Sequence, residues 1–557
     1  MSWSGTVRTW SLAASAALLG TVGVLLLPSP ASAIVDGVPL YPHGVDAAYS
    51  MTSMENADLS GPMLAFEALW LESGSFAPEG RRAVTKSATA AIVGWNTATG
   101  LNWPIGQDGQ SLPASADQRQ PTVLDLNGDV LVVWQQRNDP GKSTWDLWLW
   151  RGSEKGKPRA GYPKLLVSGP ALSNQRAADL GRCLIGSSTH PVVAWVDDRD
   201  SAGVTDHVYW LDLFADADDN NTIDIEEAGW DPVDAGTSAD RSGSLLKDQH
   251  DPAVGADGVY WLDDRTAAQP GEASVFRADL SRQPPQASLF CAEPAGDKNK
   301  LNLRASEAGA SWLGPGIAGG PWEPWAKVPG GTAGIVTALA NPTAFDLWHS
   351  RYAIAAGHGG NTDGDEDIFL YDALTGQSTP VCNVGGTSQF AYNKLKRQTM
   401  PTISEAAGGS RVVWSDSRQH TNTQATAWNS LAWELYVALV PTVSLSTTAT
   451  SANYGRPITL ATTVSPNFAG KDVSFQVGLR SEVATAYGTL VWYPSWKTLA
   501  TRTLRPASTA AFAWTPSSRG TYYVRVWFPG GKKYTDVGKR KVPHAPMASR
   551  VVKLVVQ

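Results

Sequence analysis

Cysteine is nearly absent from this chain: Cys183, Cys291 and Cys382 are the only three in 557 residues. Three thiols cannot build a disulfide scaffold even in an oxidising compartment, and which two of them would form a single bridge stays open. Charge is sparse, with Asp, Glu, Lys and Arg making up 17%, which excludes a chain kept unfolded by its own repulsion. No long apolar run follows Leu12–Leu27, so no later segment reads as a membrane span. Familiar catalytic signatures are missing too. There is no Gly-x-Ser-x-Gly elbow, no His-Glu-x-x-His pair and no Ser-x-Asp-x-Gly-x-x-Trp box, so serine hydrolase, zincin and sialidase chemistry lack their defining residues. Of eight histidines only His349 and His358 are near neighbours.

Arg8, the apolar run and Ala31-Ser32-Ala33 together read as an export signal over residues 1–33, cleaved after Ala33. The run is shorter than a spanning helix needs, and no cysteine follows it to carry a lipid. The expectation is a secreted protein, extracellular or associated with the cell surface, whose mature chain begins near Ile34 and has no membrane span. Nucleic acid is excluded as a partner of an exported chain.

What the chain does hold is turn residues and aromatics: 53 Gly, 36 Pro and 24 Trp. Many short apolar runs punctuated this way predict an all-β protein. The stretch Pro121–Trp150 displays the unit most clearly, with three apolar runs separated by Leu126-Asn127-Gly128-Asp129 and by a polar loop. Asn-Gly turns tolerate the positive φ of a tight hairpin, so the unit reads as an antiparallel meander. A meander this small cannot bury its own faces and must stack on copies of itself.

Those copies are present. An apolar run closed by Trp and followed by an acidic residue or Arg recurs at Ala68–Glu72, Val132–Arg137, Val193–Arg199, Val259–Arg265 and Val412–Arg418, with worn copies at Ala310–Leu313 and Tyr352–Ala356. Each is followed by a third strand, at Ile92–Asn96, Asp146–Trp150, His207–Leu213, Ser274–Asp279, Trp322–Val328, Asp367–Asp372 and Glu434–Val440. A Pro then opens the next strand at Trp103-Pro104, Tyr162-Pro163 and Trp230-Asp231-Pro232. Radial stacking of seven four-stranded sheets over residues 34–440 is the economical packing; the two worn copies lack Asp-x-Arg, which leaves a six-bladed count open. The last unit enters its successor at Pro441 without a fourth strand, so an early segment, Ala47–Thr52, is expected to close the ring.

Trp414-Ser415-Asp416-Ser417-Arg418 and Asp367-Ile368-Phe369-Leu370-Tyr371-Asp372 resemble the TolB-type, WD40-like propeller repeat, a likeness that covers roughly residues 45–440. The resemblance implies a propeller that binds a protein or a ligand such as a polysaccharide and carries no built-in catalysis. Because the Asp and Arg after each Trp follow the repeat, they read as a device that fixes one blade to the next rather than as a site. Adjacent carboxylates such as Asp197-Asp198 and Asp263-Asp264 point to opposite faces of a strand.

One segment breaks the repeat. Asp216, Asp218, Asn220, Thr222, Asp224 and Glu227 occupy the oxygen-donor positions of a twelve-residue calcium loop, with Ile223 at its apolar eighth position. The stretch resembles an EF-hand loop except that Asn221 replaces the glycine at position six, where Asn tolerates the left-handed conformation. A structural Ca²⁺ is the cofactor expected there. Asn361–Asp367 is a second acidic patch, without a closing Glu.

From Pro441 the pattern changes to the runs Val443–Thr448, Ile458–Val464, Val473–Leu479, Thr509–Trp514, Thr521–Phe528 and Val551–Val556, which fit one β-sandwich over 441–557. Gly520-Thr521-Tyr522-Tyr523-Val524 and Tyr454-Gly455-Arg456-Pro457-Ile458 resemble strands of bacterial immunoglobulin-like domains. Charge divides at the same point: residues 441–557 hold fifteen Lys and Arg against three Asp and Glu, and residues 34–440 hold 29 against 49. A basic module of this kind suits an anionic cell-wall polymer, with Lys532, Lys533, Lys539, Arg540, Lys541 and Arg550 its densest cluster. The functional expectation is an exported, calcium-stabilised, non-catalytic binding or cell-surface interaction protein. The alternative is a carbohydrate-active enzyme, a glycosidase or polysaccharide lyase, with its site in the propeller mouth.

Overall fold

The structure, a computed structural model, describes residues 38–39, most of 52–382 and 398–416, and most of 434–557. Its elements are all strands. Six four-stranded antiparallel sheets follow one another within 52–105, 117–167, 175–234, 249–291, 301–335 and 342–382, each with its strands in sequence order. The seventh sheet holds Gln398–Ala406, Gly409–Asp416 and Glu434–Val443. Each innermost strand packs against the next, and Gln398–Ala406 packs against Thr52–Ser60, so the sheets close into a ring. The fold is a β-propeller.

The closing strand is not Ala47–Thr52. Val38 pairs with Val437 and Pro39 with Tyr436 on the outer edge of the seventh sheet, whereas Thr52–Ser60 is the innermost strand of the first. The early segment does lock the ring, but from further upstream, because Thr52 is already spent on its own sheet.

Local chemistry explains the elements. Asn127 and Gly128 take φ of 61° and 96°, and Asp125 Oδ1 accepts the Gly128 N–H at 2.7 Å, which is the tight hairpin turn that Asn-Gly favours. Six innermost strands also carry a register break at their middle, where Asn56, Gln120, Ala177, Asp251, Asn302 and Met400 adopt positive φ. Such a bulge sharpens the twist and re-aims the side chains that follow it. In the sixth sheet the break falls between Pro342 and Ala344.

The repeated Trp is the core of each sheet. Trp134, Trp195, Trp261, Trp312 and Trp414 are fully buried. Trp195, Trp261 and Trp414 stack on their cross-strand partners Tyr209, Phe276 and Tyr436 at 6.0–6.1 Å and 24–26°, contacts worth about 0.5–1.5 kcal/mol beyond burial. In the first sheet the expected alignment fails by four residues. Phe66, paired with Val93, holds the place that Trp134, paired with Trp148, holds in the second. Trp70 pairs with Thr52 further along the strand.

The strands expected after Pro441 are present, joined by Trp496–Thr503 and the hairpin Ser481–Trp492, which the sequence pattern did not disclose. One six-stranded sheet has the order Ser451–Ala452, Val552–Val556, Gly520–Phe528, Asp472–Gly478 and Trp496–Thr503, with Met547–Ala548 also paired to Gly520–Phe528. Ile458–Ser465 and Thr509–Trp514 belong to the other. No linker separates this unit from the propeller. The strand Glu434–Val443 passes directly into it, its Thr442 and Val443 pairing with Ser465 and Val464. Leu439 also pairs in parallel with His544. Among the described residues no helix is long and apolar enough to cross a membrane.

Candidate functional site in the axial channel

The repeated acidic residue after Trp resolves into a clamp between sheets. Asp197 accepts the Trp195 indole N–H at 3.1 Å and a Gln175 amide N–H at 3.3 Å. Asp263 does the same for Trp261 and Gln249 at 2.9 and 3.0 Å, and Gln136 replaces the acid for Trp134 and Gln118 at 3.1 and 2.9 Å. The glutamine oxygens then reach the preceding sheet: Gln118 accepts the Ile92 N–H and Gln249 the Val208 N–H, both at 2.9 Å. Asp198 turns the other way, taking the Asn174 backbone and side-chain N–H groups at 2.6 and 3.1 Å. Arg137 binds Asp117 at 3.2 Å and lies 5.0 Å over Trp145. These are packing devices, as their repetition implied.

A different set of residues lines the axis. Just beyond the bulge of the innermost strands, the ladder register places Asp58, Thr122, Asp179, Ala253, Arg304 and Thr402 at equivalent positions, and in the sixth sheet Asp346, two residues past Ala344, makes the same kind of bonds to the next sheet as Asp58. Asp58 Oδ2 accepts the Thr122 hydroxyl at 2.9 Å and the Val123 N–H at 2.7 Å. Asp346 Oδ2 repeats the pattern with Thr402 at 3.0 Å and the Ile403 N–H at 2.8 Å, and Asp179 Oδ2 takes the Val254 N–H at 2.6 Å. Arg304 Nε lies 3.5 Å from Asp346 Oδ1.

The fields of these groups overlap although their sheets are not adjacent, which places them around one channel. Asp58 is partly exposed and lies on an innermost strand, which in a propeller faces the central channel. Burial, against the Val123 N–H and with the charges of Asp346 and Asp179 adding to it, pushes its carboxyl up to about 6. Burial likewise raises Asp179, against the Val254 N–H and the charge of Arg304. Beside them, burial raises Glu67 despite hydrogen bonds from the Gln120 N–H, Asn56 and Arg119. Asp251 goes the other way: burial opposes its charge, but the hydrogen bond and charge of His250, with Arg304 and the Asn302 N–H, hold it low. A carboxyl that keeps its proton toward neutral pH, facing other carboxylates, is the arrangement that separates an acid from a base.

Sequence reasoning missed this site. The only trace was the dipeptide Asp-Leu, at Asp58-Leu59, Asp179-Leu180 and Asp346-Leu347, on strands whose bulges erase the alternating pattern. The calcium-loop residues Asp216, Asp218, Asn220, Thr222, Asp224 and Glu227 lie outside the described residues, as do Asn361–Asp365. Among the described residues no group of three or more His, Cys, Asp or Glu is placed to hold a metal ion. Cys183 is a buried free thiol, and burial, reinforced by Asp257, pushes it up to about 12; Cys291 is buried as well. His349 sits on an exposed turn against Trp348, 4.1 Å between ring centres.

No family model matches the chain, and no curated protein matches it. Solved structures do resemble it at low identity. The α-L-arabinanase of Penicillium chrysogenum, complexed with arabinobiose, is 10% identical over 73% of this chain and 98% of its own, with a TM-score of 0.34. The acylaminoacyl peptidase of Pyrococcus horikoshii is 9% identical over 66% of this chain, which spans 58% of the peptidase, at a TM-score of 0.32. The xylan β-1,4-xylosidase of Bacillus halodurans is 9% identical over 92% and 96%, at a TM-score of 0.28.

Proposed function

We propose that this is an exported carbohydrate-active enzyme of the glycosidase kind, with its site in the axial channel of a seven-bladed propeller. The observation that carries this reading is the Asp58 carboxyl, held up to about 6, in the same channel as Asp179, Asp346 and Arg304. In this reading Asp58 gives its proton to the leaving glycosidic oxygen while a facing carboxylate, Asp346 or Asp179, takes the proton of the attacking water. The test is hydrolysis of a panel of aryl glycosides and neutral polysaccharides by the mature protein and by Asp58→Asn and Asp346→Asn. Turnover that drops by about 10²–10⁴-fold in the variants supports the reading. Absence of turnover across the panel, or full activity in both variants, overturns it.

The second reading, a non-catalytic binding propeller, is favoured by a specific observation: Asp58, Asp179 and Asp346 each also fasten the next sheet through a backbone N–H. Calorimetric binding of the same polysaccharides without turnover would select it. The accompanying proposals are an immunoglobulin-like fold for 441–557, secretion after cleavage at Ala33, and a Ca²⁺ held by Asp216, Asp218, Asn220, Thr222, Asp224 and Glu227. Calcium titration of the chelated protein, with Asp216→Ala and Glu227→Ala as controls, tests the last. An affinity of about 10⁻⁴–10⁻³ M is expected.

A further inference from the structure

The outward face of the six-stranded sheet in 441–557 carries an ordered array of rings and guanidinium groups. Inward-facing Val473, Phe475, Val524, Val526 and Phe528 are buried; their neighbours Gln476, Tyr523, Arg525 and Trp527 point the other way and stay partly exposed. The Arg525 guanidinium lies 4.0 Å over the Trp496 ring and 5.3 Å over Trp527, and Gln476 Oε1 accepts its Nε–H at 2.8 Å. Arg480 lies 5.6 Å over Tyr523 and donates to its hydroxyl at 3.3 Å. Trp496 can lie flat because its cross-strand partner is Gly478, where a Cβ would meet the ring at 2.8 Å. The array is therefore set before any ligand arrives.

We propose that this face binds a polysaccharide bearing carboxylate groups, with pyranose rings on Trp496, Trp527 and Tyr523 and carboxylates on Arg480 and Arg525. Aromatic planes accept the apolar face of a sugar ring, and the planar guanidinium fork takes a carboxylate through paired hydrogen bonds. Ser474, Thr498 and Thr501 offer neutral hydrogen-bonding groups on the same face, which suits a hydroxylated polymer. Charge favours an anion, since residues 441–557 contain only Asp472, Glu482 and Asp536 against fifteen Lys and Arg. Among the described residues the joint to the propeller runs through Leu439, Val443 and Ala545, none of them on this face. Burial, which lowers the Arg525 guanidinium to about 9, makes a carboxylate partner more valuable there. This site stands apart from the channel and does not depend on the glycosidase reading.

The test is calorimetric titration of the mature protein with polygalacturonate, neutral galactan, polyphosphate and single-stranded DNA. The expected result is binding of polygalacturonate that weakens with added salt and is lost or reduced by roughly tenfold or more in Trp496→Ala and Arg480→Gln. Because Arg480 is exposed, its variant should keep the melting temperature of the parent, which separates a binding loss from unfolding. Three results overturn the proposal: no binding of polygalacturonate, equal binding of galactan, or wild-type affinity in both variants. Tighter binding of polyphosphate or DNA would also overturn it, assigning the face to phosphate instead of carboxylate.

Discussion

Replacing Asp58 by Asn removes a charge that burial and the fields of Asp346 and Asp179 disfavour, while an amide oxygen can still accept the Val123 N–H. The native carboxyl titrates near 6 against 3.8 for an unperturbed one, so between these values the folded state holds the proton more tightly. The contribution of Asp58 to stability is therefore full below 3.8, declines as pH rises, and is lost above about 6. A shift of this size corresponds to on the order of 2–3 kcal/mol. Urea unfolding should find Asp58→Asn equal to the parent near pH 4 and more stable by up to about that amount at pH 7. A difference that does not change with pH would remove the carboxyl from the role assigned to it. The residue was illegible in sequence because nothing local marks it. Its environment is made by burial, to which the charges of Asp346 and Asp179, 288 and 121 positions away in sequence, add.

At the scale of the element, the clamp explains why the repeat was readable. Trp261, Asp263 and Gln249 are three parts of one hydrogen-bonded unit whose last bond, to the Val208 N–H, crosses into the preceding sheet. Gln249→Ala would strand that buried N–H and half of Asp263, a loss of about 2–4 kcal/mol, measurable as a lower urea midpoint with an unchanged slope. In the fifth sheet Lys300, just before the bulge of its inner strand, reaches back by a different bond, from Nζ to the Ala273 carbonyl at 2.6 Å. Lys300→Ala should be costly in the same sense, and an effect below about 0.5 kcal/mol in both would make the clamp incidental. Second and third strands were legible because Trp and the Asp-apolar-aromatic pattern recur on them. Innermost strands were not, since a bulge after one to four residues cancels the alternation that would announce a half-buried strand. In the first sheet Phe66 took the Trp position, and the nearby Trp70 drew the alignment four residues too far.

The whole molecule is fastened through one strand. Glu434–Val443 is the third strand of the seventh sheet, the partner of Val38–Pro39 at Tyr436 and Val437, the partner of His544 at Leu439, and the entry to the sandwich at Thr442 and Val443. One buried cluster runs through it, from Ile368, Trp414 and Tyr436 in the propeller to Leu460, Phe475 and Val526 beyond it. A boundary at Pro441 was legible as a change of charge and pattern, but the continuity of the core across it was not, because composition says nothing of which apolar faces meet. Two consequences can be measured. Removing residues up to Leu40 deletes the closing pair, which at roughly 1 kcal/mol per ladder bond should cost about 2 kcal/mol and speed hydrogen exchange at Tyr436 and Val437. Ending the chain at Val440 does more, since it uncovers Tyr436, Ala438 and Val440 of the shared cluster, and that chain should melt lower and aggregate. The full protein should then show the last sheet and the sandwich unfolding in a single calorimetric transition, because neither side of the cluster keeps its burial without the other. Two well-separated transitions, with the propeller 34–440 as stable alone as in the whole, would mean that the shared strand joins two independent units and transmits nothing between the channel and the basic face.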